Sequence, residues 1–91
     1  MNTPIFYNNL PTIDLHGIDR DYARILVKDF INDNLLLKEE KIIIIHGIGQ
    51  GIVRKSVHDY LKTNKNVKEF KQDNFNPGCT IVTLKINKEL R

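Results

Sequence analysis

Two short stretches hold the residues that can do chemistry: Asp14-Leu15-His16-Gly17 and His46-Gly47-Ile48-Gly49-Gln50-Gly51. An unperturbed histidine titrates near pH ~6.5, so His16 and His46 can accept and donate protons at neutral pH. Asp14 can orient a histidine ring or hold a metal ion. The glycine run can lay bare backbone N–H groups at the start of a helix, a ready site for phosphate. Arg54, early in that helix, can add positive charge against a phosphate oxygen. Proton-transfer groups beside an anion cradle suit cleavage of a phosphodiester. Each feature also has a plainer reading. A strand-end histidine can cap a loop, and alternate glycines can serve only a tight turn.

Other glycine-loop chemistries fit less well. No Gly-Lys-Ser/Thr follows, so this is not a P-loop. The third glycine comes one residue too early for a dinucleotide fingerprint, and no clear acidic residue ends the next strand. His58 reads as a surface residue. The single cysteine, Cys79, sits in an apolar run and reads as a small core residue; alone it forms neither an internal disulfide nor a metal cluster.

These residues need elements to position them. Thr12 to Gly17 alternates apolar and polar and reads as a short strand, with Asp14 and His16 on one face. Asp19 is a candidate N-cap for a helix running to about Leu36. Tyr22, Leu26, Phe30 and Asn34 form its stripe, widened by Ala23, Val27 and Ile31, while Arg20, Arg24, Lys28 and Asp29 face away. The isoleucines at 42–45 make a buried strand, since β-branched side chains suit a covered, pleated surface. A second helix runs from Gly51 to about Thr63, with Ile52, Val53, Val57, Tyr60 and Leu61 inward. Val67 to Gln72 and Cys79 to Ile86 read as strands, separated by a loop of turn formers.

The order β-α-β-α-β-β predicts an α/β two-layer sandwich, with two helices on a four-stranded mixed sheet. Right-handed crossovers make the first three strands parallel, and the last runs antiparallel to the third or to a neighbour. If the first two strands are adjacent, Asp14, His16, His46 and the glycine loop share one sheet edge, where sites of parallel α/β sheets form. The isoleucine run asks for cover on both faces. The N-terminal arm, with Ile5, Phe6 and Tyr7, is the candidate for the second face, and a homodimer interface is the rival.

Ninety-one residues make one domain. The expected division is an arm over 1–11, the domain over 12–86 and a tail over 87–91. A net charge of +3 is compatible with nucleic acid without requiring it. No apolar run approaches the ~20 residues of a membrane span. No basic segment with a long apolar core follows Met1, so the expected location is the cytoplasm, with no membrane partner.

Taken together, the motifs resemble those of Smr domains, the small MutS-related family. Ile13-Asp14-Leu15-His16-Gly17 is similar to the family's Leu-Asp-Leu-His-Gly, and His46 to Gly51 to its His-Gly-x-Gly-x-Gly. Ile52-Val53-Arg54-Lys55 resembles the opening of its second helix, and Pro77 to Val82 its Gly-x-Thr-x-Val ending. The resemblance covers about Thr12 to Lys85. It implies a two-layer α/β fold similar to the C-terminal domain of a bacterial translation initiation factor. It also implies nucleic-acid binding, with endonuclease or nicking activity on RNA or DNA in several members. It places function on Asp14, His16 and Gly17, and on His46, Gly47, Gly49 and Gly51. Two departures stand out. Ile48 occupies a position where many members carry lysine, and the loop before the last strand is shortened to Asn76-Pro77-Gly78.

The expectation is therefore an endonuclease with Asp14, His16 and His46 as catalytic residues. Gly17, Gly47, Gly49, Gly51 and Arg54 would hold the substrate phosphate. On RNA the substrate's own 2′-hydroxyl can attack, and no metal is needed. On DNA water must attack, which favours a divalent ion such as Mg or Mn. The alternatives are a non-catalytic module that binds nucleic acid or a ribosome, and a protein-recruiting sheet face. The chain is expected as a monomer or weak homodimer.

Overall fold

A computed structural model describes residues 9–86. The elements are β1 (Thr12–Asp14), α1 (Arg20–Leu36), β2 (Lys41–Ile45), α2 (Ile52–Thr63), β3 (Val67–Gln72) and β4 (Cys79–Leu84). The sheet order is β1-β2-β4-β3. β1 lies parallel to β2, with Asp14 opposite Ile45. β4 lies between β2 and β3 and is antiparallel to both. β1, β2 and β3 thus share one direction, as the right-handed crossovers require. Each crossover steps the same way across the sheet, so both helices land on one face.

That face holds the main core. Ala23, Val27 and Ile31 from α1 and Val57 and Leu61 from α2 pack on Ile42, Ile44, Val82 and Leu84. The opposite face buries Ile43, Ile45 and Cys79, with Leu10 packed against them. All of Ile42–Ile45 are thus buried, which fits a central strand covered on both sides. Leu10 supplies part of the second cover. Ile5, Phe6 and Tyr7, expected there, lie outside the described residues.

Asp19 caps α1 as expected: its carboxylate accepts from the N–H groups of Asp21 and Tyr22. The Asn32-Asp33-Asn34 run does not shorten the helix. Asn34 is buried, and its amide donates to the Phe30 carbonyl one turn back at 2.8 Å, so its polar group stays within the helix. Two inward assignments are corrected. Tyr22 is 53% and Ile52 49% exposed, because the core stripes run through Ala23 and Val57 instead. β1 and β4 are also shorter than the alternation suggested, ending at Asp14 and Leu84.

The end of α1 places Lys38 at a φ of 62°, a left-handed conformation in which a Cβ is strained. Lys38→Gly is expected to stabilise the fold by about 1 kcal/mol, raising Tm by roughly 4–8 °C in a thermal melt.

Candidate functional site

The site lies where β1 and β2 end, which their parallel pairing places side by side. Asp14 and His16 form a rigid pair there. One carboxylate oxygen of Asp14 accepts both the backbone N–H of His16 at 3.0 Å and its Nδ1–H at 2.9 Å. The two-point grip fixes the ring and its tautomer. With Nδ1 donating, the neutral ring keeps Nε2 as a basic nitrogen, and Nε2 has no partner among the described residues. The bonds from His16 hold the Asp14 carboxyl below its usual range. Both side chains are substantially exposed.

His16 meets the glycine loop directly. Gly47 has a φ of 82°, and a Cβ on it would sit 3.1 Å from the His16 Cβ. Glycine is thus required twice over, by the left-handed backbone and by the close approach. Gly51 is the N-cap of α2 at φ 79°, with no side-chain cap bond. The N–H groups of Ile52, Val53 and Arg54 lack partners among the described residues, and the first turn carries no acid. These groups together are the positive end of the helix dipole. The guanidinium of Arg54 lies back over this turn, 3.2 Å from where a Gly51 Cβ would be, and donates to Gln72 Oε1 on β3.

These parts enclose a cleft of about 520 Å³, lined by His16, Gly17, His46, the 47–51 loop and the start of α2. Arg54 is charged and no carboxylate lines the cleft. Of the site residues singled out in the sequence, Gly17, His46, Gly47, Gly49, Gly51 and Arg54 join His16 there, while Asp14 supports the ring from outside the lining.

His46 is placed differently from expectation. It continues the β2 alternation onto the helix-covered face and is only 4% exposed. Its Nδ1 is 2.9 Å from the Gly47 carbonyl, which can only accept, so Nδ1 carries the proton. Burial lowers its pKa and keeps the ring neutral, so Nε2 accepts the hydroxyl proton of Thr80 at 2.8 Å. Thr80 Oγ1 in turn accepts the Nε2–H of His58 at 2.7 Å. The result is a directed chain, His58 to Thr80 to His46 to the Gly47 carbonyl. Both His46 nitrogens are therefore committed inside the protein, unlike those of His16. The Gly78 carbonyl secures the same corner, accepting from the N–H groups of His46 and Gly47.

His58 is likewise not the surface residue expected. It packs edge-on to His46 and against Phe70, with ring centroids 5.6 and 5.0 Å away. Gly78 and Thr80 belong to the Gly-x-Thr-x-Val ending, to which the sequence reading gave no role. That motif was the available signal for Thr80, whose hydroxyl is fully buried here.

The His58 pKa is pushed down to about 4, first by burial, then by the neighbouring His46, with which it cannot share protonation, and by the positive charges of Arg54 and Lys62. The unfolded chain takes up this proton near pH ~6.5. Stability is thus fully present above that value and is lost as pH falls towards about 4. Because the ring is partly exposed and screened, the expected loss is about 1–2 kcal/mol. Thermal melts across this range should show it, with a flatter profile for His58→Phe.

Asp14 and His16 form an acid–histidine pair beside the cleft, and among the described residues no three His, Cys, Asp or Glu side chains cluster to hold a metal ion. No helix among them is long and apolar enough to cross a membrane. Fold and site define a two-layer α/β domain with a mixed four-stranded sheet and an open cleft at its strand ends. The chain belongs to the Smr domain family, whose pattern it matches over residues 13–85. Smr domains bind nucleic acids, and the family is associated with endonuclease activity. The fold is similar to that of the Smr domain of Thermus thermophilus MutS2, with a TM-score of 0.80 at 24% identity over 82% of this chain and 98% of that one. It is also similar to YdaL, a stand-alone small MutS-related protein from Escherichia coli, with a TM-score of 0.79 at 23% identity over 88% and 70%. No curated protein matches in sequence.

Proposed function

We propose that this Smr domain is an endonuclease that binds nucleic acid in the strand-end cleft and cleaves a phosphodiester there. The observation that carries this reading is the Asp14–His16 pair. It leaves a basic Nε2 beside a loop whose free N–H groups suit a phosphate. On RNA, His16 Nε2 takes the proton of a 2′-hydroxyl, and that oxygen attacks the adjacent phosphorus. The bond to the 5′-oxygen breaks and the leaving oxygen takes a proton from water, giving a cyclic phosphate and a 5′-hydroxyl. The N–H groups of residues 52–54 and the Arg54 guanidinium balance the charge gathering on the phosphoryl oxygens. Asp14 holds the tautomer and favours the imidazolium as it forms. On DNA, where water attacks, Asp14 has a second carboxylate oxygen to offer an Mg or Mn ion. His46 acts here as a positioning residue for the loop rather than as a phosphate ligand.

A second reading, binding without cleavage on nucleic acid or a ribosome, is favoured by Ile48. It is 60% exposed at the cleft, where a basic side chain would have met phosphate. Incubation with RNA and with supercoiled plasmid, with and without chelator, separates the two. Cutting that is lost in His16→Ala supports the endonuclease. Salt-sensitive binding with no cutting supports the binding module.

A further inference from the structure

The cleft walls are not those of a simple phosphate hole. Ile48 and Ile52 are 60% and 49% exposed, and both line the cleft next to the free N–H groups. Its volume of about 520 Å³ is within the range of clefts that hold whole small molecules, roughly 300–1,000 Å³. The lining offers one cation and no carboxylate, which suits an anion carrying a large apolar face. Beyond Ile52 a second groove opens between α1 and α2, where Arg20, Arg24 and Lys55 meet Asp21 and Asp59. Arg24 and Lys55 are paired with Asp21 and Asp59, whereas the Arg20 guanidinium has no partner among the described residues. Ile52 is thus a ridge between an anion cradle and a groove in which Arg20 is the cation left unpaired among the described residues.

We propose that the cleft binds an unpaired nucleotide of a single strand or loop. One phosphate sits at the glycine turn, the base lies on Ile48 and Ile52, and a neighbouring phosphate reaches Arg20. This rests on the endonuclease or binding reading above and narrows its substrate class. In a duplex the base faces are stacked inside the helix and only backbone and edges are offered, so the ledge has nothing to cover. An extruded base has an apolar face that does cover it, and such contacts hold single strands with little regard to sequence. Isoleucine at 48 trades attraction for any backbone against a surface that only an unstacked base can use.

The test is fluorescence anisotropy with a short 2′-O-methyl RNA, which cannot be cleaved through its 2′-oxygen, offered as a single strand and as the matching duplex. The wild-type protein should bind the single strand about tenfold or more tightly than the duplex. The exposed pair Ile48→Ser with Ile52→Ser should lose that preference while holding the duplex within about twofold, with an unchanged circular dichroism spectrum. Arg20→Ala should weaken single-strand binding and reduce its salt dependence by about one ion. Equal affinity for both forms, or a preference that survives the serine pair, overturns the inference alone. No binding to either form overturns the functional reading and this inference with it.

Discussion

His16→Ala is expected to lower phosphodiester cleavage by about 10²–10⁴-fold, the usual worth of a positioned general base. Substrate affinity should change little, because the phosphate contacts come from the N–H groups of residues 52–54 and the Arg54 guanidinium. The fold should also persist, since the ring is exposed and its bonds are to Asp14 alone. Asp14→Asn gives the sharper result. The carboxamide oxygen can still accept from both the backbone N–H and the Nδ1–H of His16, but it carries no charge to favour the imidazolium as it forms. The geometry is then almost unchanged and only the charge is lost, so cleavage should fall by about 10-fold or more with affinity retained. Single-turnover rates and equilibrium binding, measured side by side, check both variants. If His16→Ala cleaves at the wild-type rate, the pair is a loop cap and nothing more.

The second large effect is on stability. Thr80 is fully buried, and its hydroxyl serves two histidines at once. Thr80→Val keeps the shape and removes the hydroxyl, leaving His46 Nε2 without a donor and the His58 Nε2–H without an acceptor. Each unsatisfied buried group costs about 1–3 kcal/mol, so a total of about 2–4 kcal/mol is expected. In a domain of this size that is a fall in Tm of roughly 10–25 °C. Thr80→Ser keeps the chain of bonds and loses one methyl, for about 1 kcal/mol. A double-mutant cycle with His58→Phe should show strong coupling, because both changes break the same chain. If valine and serine are equally tolerated, the hydroxyl does not hold the corner. Cleavage by the valine variant should fall along with stability, since His46 anchors the Gly47 carbonyl beside His16.

Much of this was legible from local rules. Asp19 announced the start of α1, the isoleucine run announced a strand covered twice, and Gly51 announced the start of α2. The inward faces were less legible: Tyr22 and Ile52 belong to plausible stripes, and only packing against a particular neighbour chose Ala23 and Val57 over them. The placement of β4 was open in the sequence because antiparallel pairing with β3 would satisfy the connecting loop equally well at the sheet edge. Its apolar sequence had a better place between β2 and β3, where both faces are covered.

The sequence by itself determined the order of elements, the two-layer class and the two motifs, because period, caps and glycine spacing are local properties; that the Asp14–His16 strand end meets the glycine turn follows from the β1–β2 pairing. Tertiary structure alone decided which histidine keeps a free nitrogen. His46 and Thr80 are 34 positions apart, and only the antiparallel β2–β4 pairing brings them to 2.8 Å. Tautomer and availability depend on bonding partners, and for His46 those partners are set by long-range register. His16 finds its partner two residues away, so its role could be read in the chain; that of His46 could not.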